Sequence, residues 1–355
     1  MDLMIEKAQP DDLREKPDEN NLGFGRYFTD HMFTMQYQEG QGWHEPVISR
    51  YHPFTVDPAA MVLHYGQAIF EGLKAYRGKD NRVYLFRPTA NLARMNVSAA
   101  RMCMPQIDVN QVLNALQELI RLDQEWVPKA KGATLYIRPT MVATEAGLGV
   151  RAAKQFMFFI ILSPVGAYYP EGFNPVKIYV TDTYVRAVPG GVGHVKTAGN
   201  YAASIMAAVE AKKQGFTQVL WLDAVERKFI EEVGTMNIFF LINDDLITPP
   251  LGGSILAGVT RDSVLTMARA WGIKAVERRI SIEEVFAANQ QGTLREIFGT
   301  GTAAVISPVG SLHYQGRECL INEGRTGALA QRLFDELQAI QYGWKDDPYG
   351  WTMAI

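Results

Sequence analysis

A glycine-rich segment around Lys196 has the residue types of a loop that closes on a ligand. Residues 190–201 read Gly-Gly-Val-Gly-His-Val-Lys-Thr-Ala-Gly-Asn-Tyr. Glycine allows the backbone to approach a ligand closely, and a lysine that is desolvated or lies near cations can attack a carbonyl group. The segment is not a Walker phosphate loop, because it contains no Gly-Lys-Ser/Thr sequence. Taken alone, it is also typical of a solvated lysine on a flexible loop, which is the simpler interpretation.

A carboxylate, Glu232, lies just before an apolar stretch that reads as a buried strand over 236–242. A carboxylate in that position can pair with a protonated pyridine nitrogen, the contact that makes such a ring an electron sink. A surface carboxylate before a strand is common as well. The Gly234-Thr235 pair that follows favours the functional interpretation.

Two short segments have the pattern of anion-binding turns. Small residues and Thr260 lie where a helix is predicted to begin, and the unpaired amides of a first helical turn suit a phosphate. Phe298-Gly-Thr-Gly-Thr-Ala303 forms a second Gly/Thr turn between two predicted strands. Each has an ordinary alternative, since Thr260 can be a helix cap and the second segment can be a hairpin turn.

Helices and strands are predicted to interleave, with frequent hairpins. In a first block we predict a helix over 109–126, in which apolar residues recur at helical spacing at Val112, Leu113, Leu116, Leu119 and Ile120. In the same block we predict strands over 83–86, 133–142 and 155–163. In a second block we predict strands over 177–182, 217–222, 236–242, 274–280, 294–298 and 303–309, and helices over 201–214, 260–271 and 326–339. A further helix opens at the capping box formed by Ser281 and Glu284.

The stretch 166–175 concentrates Gly, Pro and Asn between the two blocks and is predicted to separate two domains. We therefore predict a mixed α/β fold of the α+β type. Its smaller N-terminal domain covers 1–169, including an extended arm over 1–23, a linker covers 170–176, and a larger domain carrying Lys196 covers 177–355.

Composition excludes several classes of protein. The 355 residues are 47% hydrophobic and 21% charged, as in a globular protein of two domains. Lys+Arg at 35 against Asp+Glu at 38 gives no basic surplus for nucleic acid. Cys103 and Cys319 show no metal-ligand spacing, so no metal is expected. The N-terminus lacks the apolar region of a secretory signal, and the longest apolar run, 156–162, is too short to span a membrane. We expect a cytoplasmic protein.

Taken together, the segments resemble the fold type IV pyridoxal-phosphate enzymes and, within them, the branched-chain amino acid aminotransferases. The most specific motifs are Phe28-Thr-Asp-His-Met32, Phe70-Glu-Gly-Leu-Lys-Ala-Tyr76, Leu85-Phe-Arg-Pro88, Tyr136-Ile-Arg-Pro139, residues 190–201 and Glu232-Val-Gly-Thr-Met-Asn237. The resemblance implies pyridoxal 5′-phosphate in an interdomain cleft and transamination between L-leucine, L-isoleucine or L-valine and 2-oxoglutarate. It also implies a homodimer, with interface candidates near Tyr65 and Val150.

The resemblance assigns cofactor contacts residue by residue. Lys196 is similar to the lysine that binds the cofactor covalently and carries the substrate proton, Tyr201 to the tyrosine on the phenolic oxygen, Glu232 to the carboxylate on the pyridine nitrogen, and Arg94 to the phosphate-binding arginine. The remaining expected cofactor contacts are Arg186, Thr235, Leu256, Gly258, Val259, Thr260, Gly301 and Thr302.

The resemblance also implies a substrate pocket. Its apolar lining would be Phe24, Tyr65, Tyr168, Thr235 and Ala303. Tyr136 and Arg138 would read a carboxylate, and the amides of Thr302 and Ala303 would hold the α-carboxylate. For the aromatic members, core packing is the simpler alternative.

Two positions after the Gly-Thr-Ala turn differ from those in some members of this family. Some members carry a redox-active Cys-x-x-Cys after the Gly-Thr-Ala turn, whereas this chain has Ala304 and Ser307 at those two positions. Three alternatives stay open at the level of sequence: a D-amino acid aminotransferase, an aminodeoxychorismate lyase, and a non-catalytic protein that binds a phosphate ligand.

Overall fold

The computed structural model describes residues 2–166 and 172–355. These residues form two compact units. The first is built from residues 2–166, 195–198 and 339–355, and the second from residues 172–194 and 199–338. Both units mix helices with strands, as predicted. The domain bounds drawn from the sequence follow chain order and stay a prediction. In the two compact units, the segments 195–198 and 339–355 group with the N-terminal part of the chain.

The helices in the described chain are α1 (Met61–Tyr65), α2 (Pro88–Arg101), α3 (Val109–Leu122), α4 (Ala198–Lys213), α5 (Val259–Ala270), α6 (Ile282–Gln290) and α7 (Ala328–Gln341). The strands are β1 (Met4–Ile5), β2 (His31–Gln38), β3 (Gly42–Arg50), β4 (Ala68–Phe70), β5 (Leu73–Arg77), β6 (Val83–Phe86), β7 (Thr134–Ala143), β8 (Gln155–Val165), β9 (Val176–Thr181), β10 (Gln218–Leu222), β11 (Ile230–Val233), β12 (Asn237–Ile242), β13 (Asp245–Thr248), β14 (Lys274–Glu277), β15 (Leu294–Gly301), β16 (Val305–Tyr314), β17 (Arg317–Leu320) and β18 (Thr352–Ala354).

The described strands of the first unit form one sheet in the order β1-β3-β2-β8-β7-β5-β6-β18, with β4 paired to β7. Helix α3 buries the apolar positions predicted from its helical spacing, and the side chain of Asp108 caps it by accepting from two backbone amides. Leu116 of α3 and Leu92 of α2 pack with Ile137 and Phe158 of the sheet in one apolar core. Residues of β7 therefore alternate between this core and the opposite face of the sheet, which carries Tyr136.

The predicted N-terminal arm is tied to the first unit. Strand β1 pairs in parallel with β3, and the amide of Ala8 donates to Nε2 of His31 at 2.9 Å. Nδ1 of His31 lies 2.6 Å from the buried carboxylate of Asp123. These contacts hold part of the arm on the sheet, although its composition is polar.

The described strands of the second unit form a mixed sheet in the order β11-β10-β9-β16-β15-β12-β13-β14, with β17 paired to β16. Helix α4 packs Ala207 and Ala211 against Val219 and Trp221 of β10. Strand β11 turns directly into β12, so that Glu232 lies within a buried strand rather than in front of one.

Two predicted elements end earlier than the sequence indicates. Helix α3 stops at Leu122 because the next residue, Asp123, turns its carboxylate to the backbone amide and ring of His31. Strand β14 stops at Glu277 because its parallel partner β13 ends at Thr248, before Pro249 and Pro250. Strand β15, in contrast, continues through the predicted Gly/Thr turn to Gly301, since Thr300 pairs with Asn237. No helix in the described parts of the chain is both long and apolar enough to cross a membrane.

Candidate active site

The segment that carries Lys196 is held by its backbone. The amide of Phe70 donates to the carbonyl of Lys196 at 3.0 Å, and the amide of Lys196 donates to the hydroxyl of Ser98 at 3.0 Å. The hydroxyl of Thr197 donates to the carbonyl of Ala68 at 2.8 Å. The lysine therefore lies on an anchored segment and not on a flexible loop, which decides against the simpler interpretation of the sequence.

The Lys196 side chain lies over an aromatic ring and near charged groups. Its Nζ is 4.6 Å from the centre of the Phe70 ring. Burial lowers the pKa of Lys196 to about 8, and the charges of Arg94 and Arg138 act in the same direction, whereas those of Glu71 and Tyr136 oppose it. An amine with this pKa is neutral in a substantial fraction of molecules near pH 8, so it can act as a nucleophile or a base.

Arg94 lies on α2 and pairs with a buried carboxylate. Its Nε and Nη2 each lie 2.8 Å from one of the two oxygens of Glu71. Burial raises the pKa of Glu71, but the charge and hydrogen bonds of Arg94 outweigh that effect, and the pKa is lowered overall. Glu71 is therefore an anion, and the predicted phosphate-binding arginine has a fixed guanidinium.

Three of the predicted substrate residues form one cluster in the first unit. Nη2 of Arg138 donates to the hydroxyl of Tyr136 at 3.2 Å, and the Tyr136 ring contacts the Phe24 ring edge-on with centroids 5.0 Å apart. The Arg138 guanidinium lies 4.7 Å from the centre of the Phe70 ring. A side chain at Gly72 would place its Cβ 2.0 Å from the Tyr136 hydroxyl, so glycine is needed there. This cluster and Lys196 share the Phe70 ring.

Glu232 is surrounded by donors in the second unit. Its Oε1 accepts from the amide of Leu256 at 2.9 Å and from Nδ2 of Asn237 at 3.3 Å. Asn237 also donates to the carbonyl of Leu256. A Cβ at Gly258 would lie 2.0 Å from Asn237 Oδ1, so the close approach requires glycine. The amide of Leu256 and the side chain of Asn237 together fix the orientation of the Glu232 carboxylate.

Arg186 contacts the same carboxylate. Its Nε lies 3.0 Å from Glu232 Oε2, and both side chains are buried. Nη2 of Arg186 donates to the carbonyl of Gly193 at 3.2 Å and also to that of Ser254. The sequence placed Arg186 only near the cofactor. The structure gives it a definite partner, the buried carboxylate of Glu232.

Of the two predicted phosphate turns, the one at the start of α5 lies where the sequence indicates, and the second is shortened because β15 continues to Gly301. Helix α5 begins at Val259, Gly258 is its N-cap without a side-chain cap, and Thr260 is buried in the first turn. Thr260 is therefore not the helix cap. Gly301 ends β15, and Thr302 and Ala303 follow it in the turn before β16. The first amides of a helix without a side-chain cap suit an anion.

The other predicted residues differ in placement. Tyr201 is half-buried in the first turn of α4, and Thr235 is exposed in the turn between β11 and β12. Tyr65 is exposed at the end of α1, and its hydroxyl donates to the carbonyl of Leu148. Tyr168 lies outside the described residues.

Four side chains that hold these groups in place have no role that follows from the sequence, namely Glu71, Asn91, Ser98 and Asn237, and the same is true of the backbone carbonyl of Ser254. A signal for some of them was present, since Glu71 lies in the Phe70–Tyr76 motif and Asn91 and Ser98 share a helical face with Arg94. Among the residues that the structure describes, no group of three or more His, Cys, Asp or Glu side chains is placed to hold a metal ion.

Comparison with known proteins identifies the family. The amino-transferase class IV profile matches residues 68–312. Branched-chain-amino-acid transaminase 1 of Bacillus subtilis (strain 168) is 54% identical over 356 residues, which cover 100% of each chain. The solved structure of the Escherichia coli branched-chain amino acid aminotransferase has a TM-score of 0.75 and 26% identity over 91% of this chain and 98% of that chain.

A third relative agrees in fold. The branched-chain amino acid aminotransferase of Thermobaculum terrenum, solved in its PLP form, has a TM-score of 0.74 at 22% identity and covers 91% of this chain and 97% of that chain. The predicted fold class and family are therefore confirmed. The chain belongs to the class IV aminotransferases and, among them, to the branched-chain amino acid aminotransferases.

Proposed function

We propose that the chain transfers amino groups between L-leucine, L-isoleucine or L-valine and 2-oxoglutarate, with pyridoxal 5′-phosphate as cofactor. The observation that carries this proposal is the environment of Lys196. A hydrogen bond anchors its backbone amide, and burial lowers the pKa of its amine to about 8. The identity of 54% to the Bacillus subtilis transaminase over the whole chain supports the substrate class.

The residues present fit the cofactor's functional groups. A carboxylate paired with Arg186 suits a protonated ring nitrogen, and an amine with a lowered pKa suits the aldehyde. The uncapped first turn of α5 suits a phosphate. When bound, pyridoxal 5′-phosphate supplies a ring that stabilises negative charge at the substrate Cα.

The proposed catalytic group is Lys196. Its amine would bind the cofactor's aldehyde carbon covalently and would be released when a substrate amine takes its place. The freed Nζ would then take the proton from the substrate Cα and deliver a proton to the former aldehyde carbon of the cofactor. With 2-oxoglutarate the same Nζ would carry a proton in the opposite direction, to the Cα of the new glutamate. The Phe70 ring lies 4.6 Å from this amine, and Ser98 holds the backbone amide of Lys196.

The other cofactor contacts are proposed as the resemblance assigns them. Glu232 would keep a proton on the ring nitrogen, and Tyr201 would donate to the phenolic oxygen. Leu256 would pack on the ring. Arg94, the backbone amides of Gly258, Val259 and Gly301, and the amides and hydroxyls of Thr260 and Thr302 would bind the phosphate.

Substrate binding is proposed for the cluster around Phe70. Phe24 would supply apolar surface for an aliphatic side chain, and Tyr136 with Arg138 would bind a substrate carboxylate. Nε of Arg138 is buried without a hydrogen-bond partner among the described residues. A carboxylate would satisfy it, which supports the proposal that one pocket accepts both aliphatic and acidic substrates.

We also propose that the enzyme is a cytoplasmic homodimer. Tyr65, Leu148 and Val150 form an exposed apolar patch on the first unit, with Val150 84% exposed. Patches of this kind mark sites of protein association. Sedimentation of the native chain and of a Val150→Glu variant tests this part of the proposal, since a monomeric native chain would contradict it.

Steady-state kinetics test the proposed reaction. With 2-oxoglutarate as acceptor, we expect turnover of all three L-amino acids and weak discrimination among them, because one methylene in an apolar pocket is worth about 1–3 kcal/mol. The D-enantiomers serve as the control. Turnover of D-amino acids alone, or of none of these compounds, would contradict the proposed function.

A further inference from the structure

We propose that Glu71 is a positioning residue that fixes the Arg94 guanidinium for the cofactor's phosphate and offsets its positive charge beside Lys196. The inference rests on the proposed function, since it concerns how this chain prepares itself for a phosphate-bearing ligand. No role in the reaction was assigned to Glu71 from the sequence.

The first observation is the number of donors on one carboxylate. Glu71 is fully buried. Its Oε1 accepts from Nε of Arg94, and its Oε2 accepts from Nη2 of Arg94, from Nδ2 of Asn91 at 3.1 Å and from the amide of Gly72 at 3.2 Å. A two-point pairing with a planar guanidinium fixes its orientation, so the directions of its remaining N–H groups are set as well.

The second observation is that one face of α2 holds both Glu71 and the lysine segment. Asn91, Arg94 and Ser98 are three and four residues apart, so they lie on the same side of the helix. The first two donate to Glu71, and Ser98 accepts from the amide of Lys196. Phe70, next to Glu71, donates to the Lys196 carbonyl. A change at Glu71 is therefore transmitted to the phosphate-binding arginine and to the catalytic amine.

The third observation concerns charge. The negative charge of Glu71 raises the pKa of Lys196, and the positive charge of Arg94 lowers it. Because Glu71 is negatively charged, Arg94 can lie near Lys196 without lowering the pKa of the lysine further.

The test compares ligands with and without a phosphate. Binding of pyridoxal 5′-phosphate and of pyridoxal is measured by absorbance titration for the wild type, Glu71→Gln, Glu71→Asp, Arg94→Gln and the double variant Glu71→Gln/Arg94→Gln. We expect Glu71→Gln to weaken binding of the phosphorylated ligand at least about tenfold more than binding of pyridoxal, because any effect on the Lys196 amine is common to both ligands, and a tenfold loss is typical of residues that support a ligand contact. In the Arg94→Gln background, Glu71→Gln should cause no further loss.

A second measurement separates charge from position. In the cofactor-free protein, the pH midpoint of Lys196 labelling by an amine reagent should fall in Glu71→Gln, where Arg94 lacks its counter-charge. Glu71→Asp keeps the charge but retracts the carboxylate, so it should weaken phosphate binding and leave the midpoint near the wild-type value. This variant also keeps the inference testable if Glu71→Gln does not fold.

The control is Glu296→Gln, which alters another buried glutamate that accepts from the backbone amides of Leu329 and Ala330. It should not distinguish the two ligands. Equal weakening of both ligands in the Glu71 variants, additive losses with Arg94→Gln, or an unchanged midpoint in Glu71→Gln would overturn the inference. A wild-type protein that binds neither ligand would instead overturn the proposed function.

Discussion

Arg186 and Glu232 form a buried ion pair, with Nε of the arginine 3.0 Å from Oε2 of the glutamate. The arginine is also bound to two backbone carbonyls, those of Gly193 and Ser254. The pair thus links the glycine-rich segment before Lys196 to the strand that carries Glu232. Two segments that are distant in the sequence are held in one arrangement by a side chain that binds both.

Removing the arginine should destabilise the protein strongly. Arg186→Met leaves the Glu232 carboxylate buried without its counter-charge, and breaking one partner of a buried pair costs about 3–5 kcal/mol. Urea denaturation measures the loss in the free energy of unfolding. Arg325→Met is the matched control, because Arg325 pairs with Glu323 at the surface and its loss should cost less than about 0.5 kcal/mol. Equal small effects in both variants would show that the buried pair contributes nothing.

The lowered pKa of Lys196 should appear as a shifted labelling profile. In the cofactor-free protein the Lys196 amine is mostly protonated below about pH 8 and mostly neutral above it, so its reaction with an amine reagent should rise around pH 8. An ordinary lysine reaches its midpoint near about 10.4. Labelling resolved by residue through mass spectrometry measures this.

Lys74 is the internal control for that experiment. Burial lowers the pKa of Lys74 to about 8 as well, but its side chain is only 6% exposed. It should therefore remain unlabelled over the same range, and the reactive lysine should disappear in Lys196→Ala. A midpoint for Lys196 near that of an ordinary lysine would contradict the site geometry.

Thiol oxidation should not regulate this enzyme. Ala304 and Ser307 replace the two cysteines that some family members carry, and Cys319 is buried with its pKa raised by burial to about 12. Cys103 is exposed. Iodoacetamide at neutral pH should modify Cys103 alone and leave the rate of transamination unchanged. Loss of activity that persists in Cys103→Ser would contradict this expectation.

The sequence predicted the features that depend on residues close together in the chain. The apolar positions of α3 occur at helical spacing, and all of those predicted are buried in the helix. Ser281 caps α6 and accepts from the amide of Glu284, as the capping box predicts. The motifs also placed Arg94, Tyr136 and Arg138 in the same neighbourhood as Lys196.

Contacts between distant residues could not be derived in this way. The end of α3 depends on a pairing between Asp123 and His31, which are 92 residues apart. The partner of Arg94 is 23 residues away on another element. Hydrogen-bonded pairs of this kind depend on tertiary packing, and no spacing rule in a single sequence specifies them.

Lys196 is the residue proposed to bind the cofactor covalently. The most direct measurement is borohydride reduction of the wild-type protein loaded with pyridoxal 5′-phosphate, followed by peptide mapping. We predict a near-visible absorption band that is lost on reduction, with the label on Lys196. In Lys196→Ala the band, the label and transamination should all be absent while the fold persists. A label on another lysine, or a colourless wild-type protein that takes no label, would contradict the account.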